Sequence, residues 1–243
     1  MSRWLFDLGN TRLKCAAVDA AGHIGAVRAI AHDGTRFDGD LAAVLPAAFE
    51  GACVGSVAAT SVRVELLDAL AQRGARISLA CTQYRFGEVT IAYAQPARLG
   101  VDRFLALLGA RARGVEAALV VGVGTALTID WLDAGGRHRG GRIAPSPMLM
   151  RESLHARAAH LPLHGGRYVE FADDTDDALD SGCTGAALAL VERSLQIARS
   201  QGGEPPRLLL HGGGSQALRA QLPHAIDAPT LVLEGLARWA DAA

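Results

Sequence analysis

Lysine is almost absent from this chain of 243 residues. Of the 24 basic side chains, 23 are arginine, and Lys14 is the single lysine. The basic residues form no block, and the formal net charge is -1. A nucleic acid or an anionic membrane, as the main partner, would need a concentrated positive surface. The composition argues against both and draws attention to the one lysine that is kept.

Long apolar runs and paired cysteines are also lacking. The longest apolar run, near residues 117–129, is shorter than the roughly 18 residues that a membrane-spanning helix needs. The first residues, MSRWLFD, lack the apolar stretch of a secretory signal. The four cysteines are scattered without metal-binding spacing, which favours reduced, buried thiols. We therefore expect a cytoplasmic protein.

The apolar content is high enough for a packed core. Half of the residues are hydrophobic and 20% are charged, and this length suits one large domain or two of about 120 residues. Short apolar strands alternate with helical patterns, which predicts an α/β protein. The predicted strands are residues 3–8, 12–19, 24–31, 89–93, 119–123, 127–132, 140–143, 208–210 and 230–233. The predicted helices are residues 41–49, 62–72, 101–113, 148–159 and 178–198, with two more near the C-terminus.

One strand-turn-strand pattern occurs twice, about half a chain apart. Residues 5–10 (LFDLGN) match residues 120–125 (VVGVGT), with Gly9 and Gly124 at the same position of each turn. The match predicts a duplicated domain, although two unrelated hairpins can give a similarity this short. The boundary is predicted near residue 115, which divides the chain into domains of residues 1–115 and 116–243.

The first glycine turn lies among residues suited to phosphate chemistry. Such a turn presents backbone N–H groups and lets a phosphate approach closely. Asp7, at the end of the strand before the turn, is suited to hold Mg²⁺ directly or through water. Lys14, on the returning strand, can reach a phosphate as a point charge. The structural alternative for Asp7 is a turn residue that satisfies local N–H groups, but the combination in residues 7–14 favours function.

A second candidate segment lies at the start of the helix predicted over residues 101–113. Asp102 and Arg103 occupy its first turn, where exposed N–H groups and the helix dipole favour an anion. A carboxylate there can accept the proton of an attacking hydroxyl, and Arg103 can grip a carboxylate or a phosphate. Taken alone, Asp102 is more often an ordinary acidic residue at a helix N-terminus.

A third glycine-rich segment, residues 211–215 (HGGGS), follows an apolar strand and precedes a helix. Its glycines allow the backbone to approach a flat ring such as adenine. A simple strand-to-helix turn explains the same pattern equally well.

Four ordered segments resemble the motifs of the type III pantothenate kinases. They are residues 7–14 (DLGNTRLK), 100–103 (GVDR), 124–130 (GTALTID) and 140–143 (GGRI). Tyr93 precedes the second motif as it does in the family, and Asp174-Thr175 stands where the family has Asn-Thr. The resemblance runs from residue 5 to about residue 215, so it covers most of the chain.

The resemblance implies a role for each matching residue. Asp102 is the implied general base on the pantothenate hydroxyl, and Asp7 is implied to hold Mg²⁺ that arrives with ATP. The residues implied to bind ATP are Asp7, Leu8, Gly9, Asn10, Thr11, Arg12, Leu13, Lys14, Gly124, Thr125, Gly212 and Gly213. The residues implied to bind pantothenate are Tyr93, Gly100, Val101, Asp102, Arg103 and Thr175.

Gly122 is the main departure from the family pattern. The family has an aspartate here, which is associated with monovalent cation and phosphate binding. Gly122 is also the counterpart of Asp7 in the internal repeat. Its lack of charge means that the site for K⁺ or NH₄⁺ is either absent or rebuilt, with backbone carbonyls and Asp130 as possible replacements, or that activity is reduced. A smaller departure is Ser146, where the family has glycine.

The fold implied is that of the acetate/sugar kinase–Hsp70–actin superfamily, with two duplicated RNase H-like (actin-like ATPase) domains and a central nucleotide cleft. The activity implied is ATP-dependent phosphorylation of pantothenate to 4'-phosphopantothenate, the first step of coenzyme A biosynthesis. A homodimer is also implied, with the helix over residues 178–198 either at its interface or in the core.

Two alternatives from other classes stay open. One is a nucleotide-binding regulatory protein with weak activity, which Gly122 favours and the pair Asp102-Arg103 disfavours. The other is a kinase of another small hydroxy compound such as a sugar, which Tyr93 and the pair Asp174-Thr175 disfavour.

Overall fold

The computed structural model describes residues 3–74, 76–201 and 203–242. The chain divides into two compact units. The first contains Met1–Val115 together with Thr230–Ala243, and the second contains Glu116–Pro229. Among the described residues, no helix is both long enough and apolar enough to cross a membrane.

The first unit is built on a five-stranded sheet in the order β3-β2-β1-β4-β5. β1 pairs antiparallel with β2 and parallel with β4. The strands of this unit are β1 (Arg3–Leu8), β2 (Arg12–Val18), β3 (Arg28–Ala31), β4 (Gly51–Ser56) and β5 (Arg76–Leu79), with a separate two-stranded ribbon of β6 (Arg85–Phe86) and β7 (Val89–Thr90). Its helices are α1 (Leu41–Val44), α2 (Thr60–Ala71), α3 (Val101–Ala112) and α7 (Leu231–Ala240).

Apolar residues from β1, β2 and β4 pack with α2 to form a core that includes Phe6, Leu13 and Leu66.

α3 and α7 pack against each other at unusually short range. A Cβ atom added at Gly109 would overlap the backbone carbonyl of Leu231, and one added at Gly235 would overlap that of Leu105. Only glycine permits this approach, because any side chain would collide with backbone.

The second unit has a five-stranded sheet in the order β10-β9-β8-β11-β12. β8 pairs antiparallel with β9 and parallel with β11. The strands are β8 (Ala118–Val123), β9 (Ala126–Leu132), β10 (His138–Pro145), β11 (Arg207–His211) and β12 (Ile226–Asp227), and the helices are α4 (Pro147–Arg157), α5 (Thr175–Ser200) and α6 (Gln216–Arg219). One face of α5 contributes Ala187, Leu188 and Leu195 to the core of this unit.

The two sheets share one plan, because β1–β5 and β8–β12 have the same order and the same mixture of parallel and antiparallel pairs. The α/β class and the duplicated strand-turn-strand pattern are therefore confirmed. Gly9 and Gly124 each follow the first strand of their sheet, at the turn into the second strand.

One sequence-based element was wrong in type, and several others were wrong in length; the strand predicted over residues 89–93, for example, is limited to Val89–Thr90. Residues 230–233 were predicted as a strand, but Leu231–Ala240 is a helix, because its apolar residues pack against α3 rather than into the second sheet. This segment accordingly groups with the first unit, although the sequence assigned it to the second domain. The strand predicted over residues 24–31 begins only at Arg28, and the helix predicted over residues 41–49 ends at Val44.

Candidate active site

Asp7 lies near the end of β1, with Lys14 of β2 and Gly55 of β4 as its register partners on either side. Directly opposed residues on neighbouring strands point to the same face of a sheet. Asp7 and Lys14 therefore share a face, and Gly55 places no side chain on that face beside them.

α3 comes close to the sheet beside Asp7 because residue 55 is glycine. A Cβ atom added at Gly55 would lie 2.7 Å from Cδ1 of Leu105. Asp102 precedes Leu105 by three residues, which places both on one side of the helix. Its carboxylate is close enough to Asp7 that its negative charge raises the pKa of Asp7.

Asp7 has a carboxyl group that is strongly perturbed. Burial of the carboxyl raises its pKa from 3.8 to about 7, with a smaller rise from Asp102, while the positive charge of Lys14 acts in the opposite direction. A pKa near neutrality is a frequent feature of functional sites. A divalent cation bound here would favour the ionised form of Asp7.

The carboxylate of Asp102 lies at the first turn of α3. Its Oδ1 atom accepts a hydrogen bond of 2.8 Å from the backbone N–H of Arg103. A Cβ atom added at Gly100 would lie 2.6 Å from the same oxygen. Glycine at position 100 therefore leaves the space that the carboxylate occupies.

Arg103 is a buried charged residue, with 6% of its surface exposed. Its Nη1 atom donates a 3.3 Å hydrogen bond to the hydroxyl oxygen of Tyr93, and its guanidinium carbon lies 5.9 Å from the centre of the Tyr93 ring. Tyr93 also lines an open depression with Ala94, Gln95 and Arg98. The site thus combines a carboxylate at a helix start with an arginine and a phenol.

The turn after β1 is held by two bonds at Gly9. The Gly9 N–H donates to the carbonyl of Arg12 at 3.0 Å, and the Gly9 carbonyl is 2.9 Å from Nε2 of His32. Asn10 and Thr11, at the tip of the turn, are exposed. Leu8, Leu13 and Val101 have buried side chains, so their predicted contacts with substrates would have to come from backbone atoms.

Sequence reasoning missed both His32 and Gly55. His32 is an isolated histidine without a recognisable spacing to the turn at Gly9. Gly55 lies in residues 51–56 (GACVGS), where two glycines weaken the strand signal. A glycine near the end of an apolar run was the only available indication of a close approach.

The second unit has its own glycine turn after β8, where the Gly124 N–H donates to the Ala126 carbonyl at 2.9 Å. Just before this turn, the space beside Gly122 is already filled. A Cβ atom added at Gly122 would lie 2.7 Å from Oγ1 of Thr128 and 2.9 Å from Nε2 of His211. An imidazole therefore stands where a side chain at position 122 would go.

Asp130, considered as a replacement acid for position 122, lies in the interior. It is 2% exposed, and its Oδ1 atom is 3.0 Å from Nε2 of the fully buried His138. This contact engages one of its carboxylate oxygens.

The three glycines that follow His211 have different surroundings. A Cβ atom at Gly212 would overlap the backbone of Val123, and one at Gly214 would lie 2.9 Å from Cγ1 of Val123. The Gly214 N–H also donates to the Val123 carbonyl at 2.9 Å. Packing against β8 therefore accounts for both glycines. Gly213 faces open space and is exposed, so its backbone is accessible to a ligand.

Thr175 is the first residue of α5 and is exposed. Asp174 caps this helix by accepting a 2.9 Å hydrogen bond from the backbone N–H of Asp177. Thr175 lies in an open depression lined by residues 166–167 and 174–177. Within the first unit, the structure brings together Asp7, Lys14 and Asp102, with Gly100, Arg103 and Tyr93 beside Asp102. Thr175 belongs to the second unit.

The fold defines the class of protein. The chain is similar to an archaeal actin homologue, with a TM-score of 0.52 and 12% identity over 100% of both chains. It is also similar to a Baf family protein from Campylobacter jejuni, with a TM-score of 0.64 and 19% identity over 98% of both chains. The two units, with their repeated sheet order, form the two-domain fold of actin-like ATPases and sugar kinases.

The sequence comparisons identify the family within that class. A family model described as type III pantothenate kinase matches residues 4–197. A type III pantothenate kinase of Xanthomonas axonopodis pv. citri (strain 306) is 54% identical over 243 residues, which is 100% of this chain and 99% of the relative. The chain belongs to the type III pantothenate kinase family. It is a phosphotransferase that phosphorylates pantothenate in coenzyme A biosynthesis, as the sequence motifs predicted.

Proposed function

We propose that Asp102 is the general base for pantothenate phosphorylation and that the turn after β1 binds the phosphates of ATP. The observation that carries this proposal is the placement of Asp102 at the start of α3, beside the perturbed Asp7 carboxyl. An acceptor hydroxyl bound at Asp102 lies next to the segment proposed for the phosphates.

The reaction needs a proton acceptor and an aligned phosphate. Asp102 takes the proton of the pantothenate hydroxyl as the hydroxyl oxygen forms a bond to the γ-phosphorus, and the bond to the leaving ADP oxygen breaks. Asp102 is held for this role by its hydrogen bond from the Arg103 N–H. Positioning and charge neutralisation supply most of the rate acceleration in phosphoryl transfer. Lys14 contributes positive charge on the face that it shares with Asp7.

Enzymes of this kind use ATP together with a divalent cation such as Mg²⁺, which neutralises phosphate charge when it is bound. The described residues contain no cluster of three or more acidic, histidine or cysteine side chains that would form a cage for a metal. One protein carboxylate, with phosphate and water oxygens as the other ligands, is typical for Mg²⁺. Asp7 fits that requirement, and we assign the Mg²⁺ contact to it.

A monovalent cation does not fit beside Gly122. The position supplies no carboxylate, and Thr128 and His211 occupy the adjacent space. Asp130 is engaged with His138. We therefore propose that this chain transfers phosphate without a K⁺ or NH₄⁺ ion at position 122. Backbone atoms of Gly124, Thr125 and the exposed Gly213 remain the proposed nucleotide contacts in the second unit.

Pantothenate is a carboxylate with hydroxyl and amide groups, so its site needs a cation and hydrogen-bonding groups. Arg103 supplies the guanidinium, and Tyr93 supplies a phenol hydroxyl 3.3 Å from it. We propose that Gly100 and Val101 contribute backbone contacts. The pantothenate contact implied for Thr175, at the N-terminus of α5 in the second unit, stays a prediction.

A cytoplasmic homodimer completes the proposal. Much of the apolar face of α5 packs into the core of the second unit. We therefore propose that the dimer contact uses other apolar residues of that unit. Ile143, Met148, Leu154 and Phe171 are large apolar side chains that are at least 40% exposed. Sedimentation of the purified chain tests this, because a dimer has about twice the mass of 25.3 kDa.

Replacement of the proposed base tests the mechanism. Asp102→Asn keeps the shape of the side chain but removes its basicity, so kcat should fall by about 10² to 10⁴-fold while ATP still binds. Asp68→Asn is the matched control, since Asp68 is exposed on α2. Rapid-quench kinetics and calorimetric ATP titration separate the two effects. Wild-type turnover in Asp102→Asn would mean that another residue is the base.

A further inference from the structure

His32 lies where β3 ends, at the beginning of a short loop that reaches the first phosphate turn. Its side chain is 4% exposed, and its ring packs edge-on against Phe37 with 5.6 Å between ring centres. It is therefore a buried polar side chain, whose two ring nitrogens need hydrogen-bonding partners.

Both nitrogens of His32 have such partners. The backbone N–H of Gly34 donates to Nδ1 at 3.2 Å, and Nε2 is 2.9 Å from the carbonyl oxygen of Gly9. Because Nδ1 accepts a hydrogen bond and a carbonyl can only accept, the proton must lie on Nε2. The imidazole is therefore neutral, and its Nε2–H donates to Gly9.

The loop that holds the imidazole is itself tightly bonded. Asp33 Oδ1 accepts hydrogen bonds from the backbone N–H groups of Thr35 and Arg36, at 2.7 and 2.9 Å. Ser61 of α2 donates to the carbonyl of Gly34 at 2.7 Å. The loop is thus fixed to α2 through Gly34, and Gly34 fixes the imidazole.

His32 also contacts the turn through its backbone. The His32 backbone N–H donates to the Thr11 carbonyl at 3.0 Å. Two carbonyls of the turn, at Gly9 and Thr11, are therefore directed toward His32. A peptide unit is planar, so fixing these carbonyls also fixes the N–H groups of the following residues, Asn10 and Arg12, which lie in the proposed phosphate-binding turn.

We infer that His32 is a positioning residue for ATP: its Nε2–H holds the Gly9 carbonyl so that the turn over residues 9–12 keeps the backbone conformation that receives phosphate. The inference rests on the proposed role of that turn in binding ATP. His32 does not touch substrate; it acts through the backbone of Gly9, so its loss should affect the nucleotide rather than pantothenate.

Two substitutions separate the bonds of His32. In His32→Asn, the amide oxygen can take the place of Nδ1 and keep the Gly34 contact, but the side chain is too short to reach Gly9. In His32→Gln, the amide nitrogen can take the place of Nε2 and keep the bond to Gly9. Both variants are polar and uncharged, so each serves as the control for the other.

The measurement is the dissociation constant for Mg²⁺–ADP by calorimetry, together with KM for ATP and for pantothenate. We expect His32→Asn to weaken nucleotide binding by about fivefold to tenfold, as expected for one lost hydrogen bond, with KM for pantothenate unchanged. His32→Gln should remain within about twofold of wild type. Equal losses in both variants, no loss in either, or a loss confined to pantothenate would overturn the inference.

A measurement on the wild-type protein decides the question if a variant fails to fold. In ¹⁵N-labelled protein, the His32 ring signals should report the Nε2–H form, and that N–H signal should shift on adding Mg²⁺–ADP but not pantothenate. A His32 ring N–H signal that does not shift on adding Mg²⁺–ADP would contradict the inference. If the wild type bound nucleotide but did not phosphorylate pantothenate, the proposed function would fail, and the ADP titrations would still decide the role of His32.

Discussion

Asp7 is an acidic residue whose pKa is strongly raised by burial. Since burial raises its pKa from 3.8 to about 7, the folded protein holds a proton that the unfolded chain releases between those values. The unfolded state binds fewer protons in that range, so the contribution of Asp7 to stability falls as pH rises from about 4 through about 7 and stays low above it.

This titration gives a pH-dependent prediction. In Asp7→Asn the carboxyl becomes a neutral amide, so the variant should melt at the same temperature as wild type near pH 4 and above it at pH 8. Thermal melts in a metal-free buffer with a chelator measure the difference. Asp68→Asn, on the exposed side of α2, should show no such trend. If the melting temperature of Asp7→Asn fell relative to that of wild type as pH rises, the fold would favour the ionised form of Asp7.

Gly122 and His211 together give a prediction about monovalent cations. Because the imidazole of His211 and the hydroxyl of Thr128 fill the space beside Gly122, turnover should not depend on potassium. The assay follows activity from potassium-free buffer upward at constant ionic strength, with sodium as the control cation and ammonium as a second test. A strict potassium requirement would show that a cation site exists despite the missing acid.

At the scale of elements, the contact between α3 and α7 fixes the helix that carries Asp102. Gly235 meets the backbone of Leu105 there, so Gly235→Ala should destabilise the protein by about 1–3 kcal/mol through overpacking. The matched control is Gly182→Ala in α5, where an added Cβ meets nothing within 4 Å. That change should be neutral or stabilising by about 0.5–1 kcal/mol. Urea denaturation compares them, and similar effects for both would contradict the close packing.

Several secondary-structure elements could be predicted from the sequence because the patterns that mark them are local. The bounds of β1 match the predicted residues 3–8, and α3 differs from its prediction only at one end, since apolar spacing and glycine turns mark both. α7 was mistaken at its start because Thr-Leu-Val-Leu has strand propensity in isolation. Its packing against Gly109 of α3 favours the helix. The two segments are far apart in sequence, so the local pattern could not show this contact.

Part of the candidate site could also be predicted from the sequence. The motifs indicated Asp7 and Asp102, and the structure adds that Leu105 of α3, the helix whose first turn carries Asp102, packs against Gly55, the β4 partner of Asp7. The hydrogen bond between His32 and Gly9 and the placement of His211 beside Gly122 were not readable. Each depends on strand pairing or loop closure between residues far apart in sequence, and a lone histidine carries no periodic signal.

At the scale of the whole molecule, the repeated sheet order gives two units of the same plan, each with a glycine turn after its first strand. The two turns have diverged. The first keeps an acid and a lysine, Asp7 and Lys14, whereas the second has Gly122 and an imidazole from β11. We propose that the acidic chemistry of the reaction is concentrated in the first unit.

The most direct test of the account is the identity of the phosphorylated product. Purified wild-type protein is incubated with Mg²⁺ and ATP, and with pantothenate or a panel of sugars, and ³¹P NMR follows the phosphate monoester that forms. The account predicts 4'-phosphopantothenate in amounts that match the ADP released, and no sugar phosphate at comparable rates. Phosphorylation of a sugar in preference to pantothenate, or ATP binding without transfer to any acceptor, would contradict it.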